Sequence, residues 1–287
     1  MSAVVVSGAT GTVGRHVTAA LLDAGALVRA LTRNPPPDDE RRGLRWTRFS
    51  YTEPDTWPDA FAGAQALFVV RPPEMVDVAR DLFPALDAAR AAGIGRVVFL
   101  SVLGAERNPL LPHRRVERRL ETSGMASTSL RAANFMQNLA EVHAADIRER
   151  GELVVPAGDA ALSYIDARDV ADVAARCLLA RAPTRGAWDL TGPEAITHHQ
   201  VAAALSRALG RPIRYTRPSL PRYWAHAHRT GMPAGLIAAT SVLYTLARAG
   251  IGSRVSDHVE EILGRPARDI HRFAEDYRAT WVPAPAT

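Results

Sequence analysis

The sequence predicts an α/β fold, a doubly wound parallel sheet followed by a smaller, mostly helical C-terminal lobe, and three observations carry that reading. The apolar run Ala3-Val4-Val5-Val6-Ser7 breaks into Gly8, Gly11 and Gly14 at G-x-x-G-x-x-G spacing, with an Ala/Leu-rich helical pattern directly after. Strand-like and helix-like stretches then alternate as far as residue 192, the pattern of successive β-α-β units. From Gly192 onward the alternation lapses.

Each glycine of the first turn has its own reason. Gly8 lets the chain leave a strand tightly, Gly11 presents no side chain to a pyrophosphate, and Gly14 lets the helix lie close to the sheet. Helix N-terminal amides face the phosphates in such turns. The stretch Gly8, Thr10, Gly11, Thr12, Val13 and Gly14 therefore reads as the phosphate cradle of a Rossmann-type dinucleotide-binding fold.

A length of 287 residues accommodates one large α/β domain with an appendage or two small domains, and the break in pattern divides it into 1–192 and 193–287. The first part is the expected cofactor-binding domain and the second the substrate-binding lobe. No apolar run approaches the roughly 20 residues of a membrane span, and the N-terminus enters a strand with no signal-peptide pattern, which points to a cytoplasmic protein away from membranes. The single Cys177 excludes an internal disulfide or a cysteine-rich metal site, and its helical setting suits a small buried thiol. The formal charge of +5 is scattered, and its densest cluster, Arg114-Arg115 with Arg118-Arg119, is broken by Glu117 and Glu121, so nucleic acid is not an expected partner. All 35 basic residues are arginine, which rules out lysine chemistry such as a Schiff base.

In chain order, the first helix ends near Asp23-Ala24-Gly25 and a second strand runs Leu27 to Thr32. In NAD-specific folds a carboxylate sits about 20 residues past the glycine turn and holds the ribose 2′-hydroxyl. Here Arg33 stands there, and an arginine fork pairs with a 2′-phosphate, so NADP(H) is the expected cofactor. Pro35 to Glu40 reads as a surface loop, and short elements follow to Gly63. Ala66 to Val70 has no polar alternation and reads as a strand buried on both faces, running into Arg71-Pro72-Pro73. The backbone of Val70, Arg71 and Pro72 is expected to border the adenine. Glu74 to Ala92 has helical spacing interrupted by Pro84.

Arg96 to Ser101 forms the next strand, whose following loop opens at the carboxyl edge of the sheet, where ligands of such sheets bind. A helix over 112–123, a strand Thr128 to Arg131 and a helix over 132–150 are expected next. Leu162 to Ile165 is a short strand ending at Asp166, an expected N-cap that accounts for the carboxylates Asp166 and Asp169 without an acid/base role. Thr197-His198-His199-Gln200 is a capping box, which makes the paired histidines first-turn residues. His226 and His228 point to different helix faces. Tyr223, Trp224, Met232, Leu236, Ile237, Leu243 and Tyr244 can line a substrate pocket or fill a core.

Gly8 to Gly14, Thr32-Arg33-Asn34-Pro35, His113-Arg114-Arg115-Val116-Glu117, Ser123-Gly124, Leu130-Arg131, Phe135-Met136-Gln137-Asn138, Asp189 to Pro193 and Leu263 to Pro266 together resemble the NmrA-like group of atypical short-chain dehydrogenases. The likeness spans nearly the whole chain. That group holds NADPH-dependent quinone reductases, triphenylmethane and isoflavone-type reductases, and cofactor-sensing regulators with no known catalysis. The resemblance implies that Ser101, Val102 and Leu103 border the nicotinamide ribose and that Asn134 and Phe135 flank the nicotinamide.

Ordinary short-chain dehydrogenases use a Tyr-x-x-x-Lys pair, but by the resemblance His113 occupies the lysine column and Pro109 the tyrosine column. His113 is then the candidate acid, or else a residue bonded only to a loop carbonyl or a ribose. An acceptor that delocalises the charge left by hydride suits a site with no strong acid. The expected activity is thus an NADPH-dependent reduction of a quinone or other conjugated carbonyl. The alternatives are an NADP(H)-sensing regulator acting through a protein partner, or a non-redox tailoring enzyme. A small molecule is the expected partner; exposed helices of this fold can pair in several ways, a homodimer among them. No metal site is expected.

Overall fold

The computed structural model describes residues 2–36, 39 and 41–282. In the expected loop 35–40, positions 37, 38 and 40 lie outside the described residues. In chain order the elements are β1 (Ala3–Val6), α1 (Gly14–Asp23), β2 (Val28–Thr32), β3 (Leu44–Arg48), α2 (Trp57–Phe61), β4 (Ala64–Val70), α3 (Val78–Asp81), α4 (Phe83–Ala91), β5 (Arg96–Val102), α5 (Pro112–Glu121) and β6 (Ala126–Ala132). They continue with β7 (Asn134–Phe135), α6 (Gln137–Ala140), β8 (Glu152–Leu153), β9 (Ala161–Ile165), α7 (Ala167–Leu179), β10 (Gly186–Leu190), β11 (Ala195–Thr197), α8 (His198–Leu209) and β12 (Arg214–Tyr215). The last helices are α9 (Leu220–Arg229), α10 (Ala234–Arg248), α11 (His258–Leu263) and α12 (Ile270–Asp276).

The chain divides into two compact units. The first comprises Met1–Ala132, Ala167–Leu190 and His258–Arg265; the second comprises Ala133–Asp166, Thr191–Asp257 and Pro266–Thr287. Where sequence pattern draws one boundary at 192, chain contacts group 133–166 with the later residues, because β7, β9 and β11 form one sheet, and 258–265 with the earlier ones, because α11 packs with α7 and β10.

In the first unit, β10-β6-β5-β4-β1-β2-β3 form a seven-stranded sheet with every neighbouring pair parallel. Strand order reverses between β1 and β4, the switch point at which open α/β sheets bind ligands. Gly14, Val17, Thr18 and Leu21 recur at helical spacing and give α1 its buried stripe, and α1 packs with α7. On the other face Val5, Leu67, Val97, Phe99, Val116 and Leu120 share a core. Pro84 acts as expected, since the helical stretch breaks at Leu82 and restarts as α4 with Pro84 in its first turn.

In the second unit, β9 is the centre strand, parallel to β7 and antiparallel to β11. The helix expected over 132–150 is not formed: Asn134 pairs with Tyr164 and Phe135 with Ile165, and only short helical turns follow at Gln137–Ala140 and Asp146–Arg150. Its core gathers Leu139, Ile147, Leu153, Val201, Leu205, Phe273 and Trp281. The capping box at Thr197 forms as its sequence requires. Tyr223, Ala227 and Ile237 build a separate small cluster where α9 meets α10.

Candidate functional site

The glycine turn has the geometry a dinucleotide cradle requires. Gly8 has φ +62°, where L-residues rarely sit, and a Cβ there would stand 3.2 Å from Cβ of Val70. A Cβ on Gly14 would lie 2.1 Å from the Gly8 carbonyl oxygen, an approach only glycine permits. Gly11 donates to that same oxygen at 2.9 Å and closes the turn. Gly8, Thr10 and Gly11 are exposed, Thr12 is half-buried, and Val13 and Gly14 are buried at the start of the ten-residue α1. The exposed rim backed by helix amides fits a pyrophosphate.

Ser7 ties this turn to the end of β4. Its hydroxyl accepts from the Val70 amide at 2.9 Å and from the Tyr51 hydroxyl at 2.8 Å, and Tyr51 also donates to the Val70 carbonyl at 3.0 Å. Burial pushes the Tyr51 phenol well above its usual pKa, so it remains a donor. Arg33, just beyond β2, is exposed and makes no ion pair with a described residue.

At the end of β4, Nη1 of Arg71 donates to the carbonyls of Pro72, Pro73 and Met75 at 2.7, 3.1 and 2.8 Å. Its Nε points at Nε2 of His113, 3.4 Å away. Since arginine only donates, Nε2 is the bare nitrogen of that imidazole. Burial, then the Arg71 charge, drives the His113 pKa down to about 4 against a weaker pull from Glu117. A pKa there favours the neutral ring at neutral pH.

Ser101 is buried and donates to Glu117 at 2.7 Å, so its hydroxyl is engaged inside the unit; Val102 and Leu103 beside it are half-buried. Glu117, the residue that merely broke a basic cluster in the sequence, is the hub of this edge. Arg131 grips it with Nε and Nη2 at 2.9 and 2.8 Å, and Arg114 adds a bond at 2.9 Å. Burial alone would raise its carboxyl pKa, but the bonds from Arg131, Ser101 and Arg114 hold it below the ordinary value. Asp169, fully buried, pairs with Arg265 at 2.8 Å, which gives it a structural task.

The second unit contains a cavity of about 100 Å³ walled by Asn134, Asn138, His143, Tyr164, His198, Tyr223, Thr240, Tyr244 and four aliphatic side chains. Asn134 thus reaches the cavity, whereas its neighbour Phe135 is not among its walls. A second cavity of about 250 Å³ shares Val142, His143, Tyr223 and Leu236 with the first. Burial lowers the pKa of His143 to about 4 and of His198 to about 3, so the first cavity has no charged side chain in its wall at neutral pH. Of the apolar run noted in sequence, Tyr223, Leu236, Leu243 and Tyr244 line this cavity, Met232 lines the second, Ile237 is core and Trp224 is exposed. Tyr164 and His198 were missed, because nothing local marks a first-turn histidine as buried.

No group of three or more potential metal-ligating side chains occurs among the described residues. No described helix is long and apolar enough to cross a membrane.

A reversed-order parallel sheet with a glycine turn under a helix N-terminus defines a dinucleotide-binding protein of the Rossmann type. The chain matches the model of the NmrA-like family over residues 1–235 and belongs to that family. It is 36% identical over 286 residues to the NAD(P)H azoreductase of Xenophilus azovorans, covering 97% of this chain and 99% of that one. It is 33% identical over 291 residues to the (4-alkanoyl-5-oxo-2,5-dihydrofuran-3-yl)methyl phosphate reductase of Streptomyces griseus, covering 98% and 99%. In fold it is similar to the Citrobacter sp. triphenylmethane reductase complexed with NADP(H), with a TM-score of 0.82 at 21% identity over 97% of this chain and 99% of that one.

Proposed function

We propose that the protein is an NADPH-dependent reductase of neutral conjugated acceptors, a quinone or another conjugated carbonyl. The observation that carries this reading is the uncharged wall of the smaller cavity in the second unit, which suits a neutral acceptor group better than an anion or a cation; the larger cavity beside it has Asp146 in its wall. The glycine cradle from Gly8 to Gly14 holds the pyrophosphate and Arg33 the 2′-phosphate. Val70, Arg71 and Pro72 border the adenine; Ser101, Val102 and Leu103 border the ribose through backbone and aliphatic surface, and Asn134 and Phe135 flank the nicotinamide. When bound, NADPH supplies the hydride.

His113 is a positioning residue in this reading. Its bare Nε2 orients Arg71, and its neutrality keeps a second positive charge away from that guanidinium. The missing proton donor is tolerable because a conjugated acceptor spreads the charge that hydride leaves. The Streptomyces griseus relative is named for a substrate whose ring carbonyl and alkanoyl carbonyl are conjugated with one double bond, which favours a conjugated acceptor; that substrate also carries a phosphate, so its name does not speak for a neutral one.

Steady NADPH oxidation with members of a quinone and enone panel is the expected result. Tight NADPH binding without turnover of any member would replace this reading with that of a cofactor sensor. An azo compound is the second reading, favoured by the 36% identical azoreductase, and it belongs in the same panel.

A further inference from the structure

We infer that the Tyr164 hydroxyl, held by His198, is the hydrogen-bond donor to the acceptor's carbonyl oxygen in the second unit, an inference that rests on the reductase reading. Tyr164 comes from β9 and His198 from the first turn of α8, and both wall the smaller cavity. The hydroxyl and Nε2 of His198 are 2.8 Å apart. The bond can run either way. Nδ1 of His198 is buried with no hydrogen-bond partner among the described residues. Within the protein, each direction leaves one hydrogen without an acceptor, either an N–H on Nδ1 or the O–H of Tyr164. An acceptor oxygen in the cavity satisfies the O–H and not the sealed N–H, so its binding favours the proton on Nε2, which then donates to the Tyr164 oxygen.

The Tyr164 proton is then left without an acceptor among the described residues, on a side chain that lines a cavity. Burial, with Tyr244 and Tyr215 nearby, raises its pKa well above the ordinary phenol value. Burial and then the neighbouring His143 and His199 keep His198 uncharged. The pair thus offers a hydrogen bond and retains its proton, and a neutral oxygen acceptor is the group that answers it. A volume of about 100 Å³ is smaller than the roughly 150 Å³ cavity that accepts benzene, so it admits a carbonyl with its adjoining ring edge.

Reduction adds a hydride, two electrons and one proton, to the acceptor. Negative charge then grows on the carbonyl oxygen and strengthens the bond from the Tyr164 O–H. The second proton comes from water, so quinone, NADPH and one proton yield hydroquinone and NADP⁺, and Tyr164 ends unchanged.

The test is difference infrared spectroscopy of 1,4-naphthoquinone bound to the full chain with NADP⁺, a complex that cannot turn over. A carbonyl stretch moved to lower frequency in the wild type and restored in Tyr164→Phe is the expected result. In turnover, kcat of Tyr164→Phe should fall about a hundredfold at unchanged NADPH affinity. His198→Leu should weaken the infrared shift and His198→Gln, which retains an N–H, should recover much of it. Identical carbonyl bands in the wild type and a Tyr164→Phe variant that binds NADPH normally would overturn the inference, as would failure of the wild type to bind the quinone. An NADPH-binding wild type that shows the infrared shift yet turns over no member of the panel overturns the reductase reading alone.

Discussion

Arg131 holds both carboxylate oxygens of Glu117, with Nε to Oε1 at 2.9 Å and Nη2 to Oε2 at 2.8 Å, inside the carboxyl edge of the parallel sheet. Such a pair adds little over a well-packed apolar core, but breaking it strands a buried charge. Glu117→Ala is expected to cost about 3–5 kcal/mol in chemical denaturation, and Glu117→Gln less. A loss under about 1 kcal/mol for the alanine variant would show that Arg131 and Arg114 reach solvent without it.

Gly14 and Gly11 separate folding from binding. A Cβ at 14 meets backbone at 2.1 Å, whereas a Cβ at 11 has a single neighbour, the Gly8 oxygen at 3.3 Å. Gly14→Ala should lower thermal stability by about 1–3 kcal/mol or more through overpacking. Gly11→Ala should keep its melting temperature within a few degrees and lose NADPH affinity, measured by fluorescence titration. Equal effects of both changes on stability would contradict the roles given to them.

Arg33 is expected to set the cofactor preference. Arg33→Asp should weaken NADPH binding about 10–100-fold, the range for a hydrogen bond to a charged group, and leave NADH binding unchanged or improved. Parallel loss for both cofactors would move Arg33 from recognition of the 2′-phosphate to a general contact.

Three histidines, His143 and His198 buried and His113 half-buried, add to the loss of stability in acid. His113 and His143 titrate at about 4 and His198 at about 3 in the folded chain, against an ordinary 6.5. Between these values and 6.5 the unfolded chain binds more protons than the folded one, so stability falls as pH falls. Each group steepens the loss by at most about 1.4 kcal/mol per pH unit within its window. Urea midpoints should drop from pH 6.5 towards 4, and His113→Gln should flatten the slope.

For His113 as positioning residue, His113→Gln should leave the shape of the kcat profile between pH 5.5 and 8 as in the wild type. A wild-type profile with a titration near 6.5 that vanishes in the variant would restore His113 as an acid.

How legible these parts were depends on whether the physics is local. The glycine turn, the break at Pro84 and the capping box at Thr197 rest on residues within a few positions of one another, and the folded chain has all three. The segment 132–150 has helix-compatible spacing, but Asn134 and Phe135 are drawn into a strand by β9, thirty residues away, and no local period records that pairing. Likewise Thr197 marks its helix start, while the burial of His198 follows from its stacking against Tyr215 and its bond to Tyr164. Glu117 was visible only as an interruption among arginines, since it lies on α5 and its partners Ser101 and Arg131 arrive from the strands β5 and β6.

The backbone passes between the two units at 132/133, 166/167, 190/191, 257/258 and 265/266. Neither unit is therefore a cassette. Severing the chain near 192 would take β11 from β9 and α11 from α7, so neither fragment would hold all the pieces of its own core. Grafting the second unit from a relative would mean three simultaneous, register-matched exchanges, whereas replacing side chains leaves the shared framework in place.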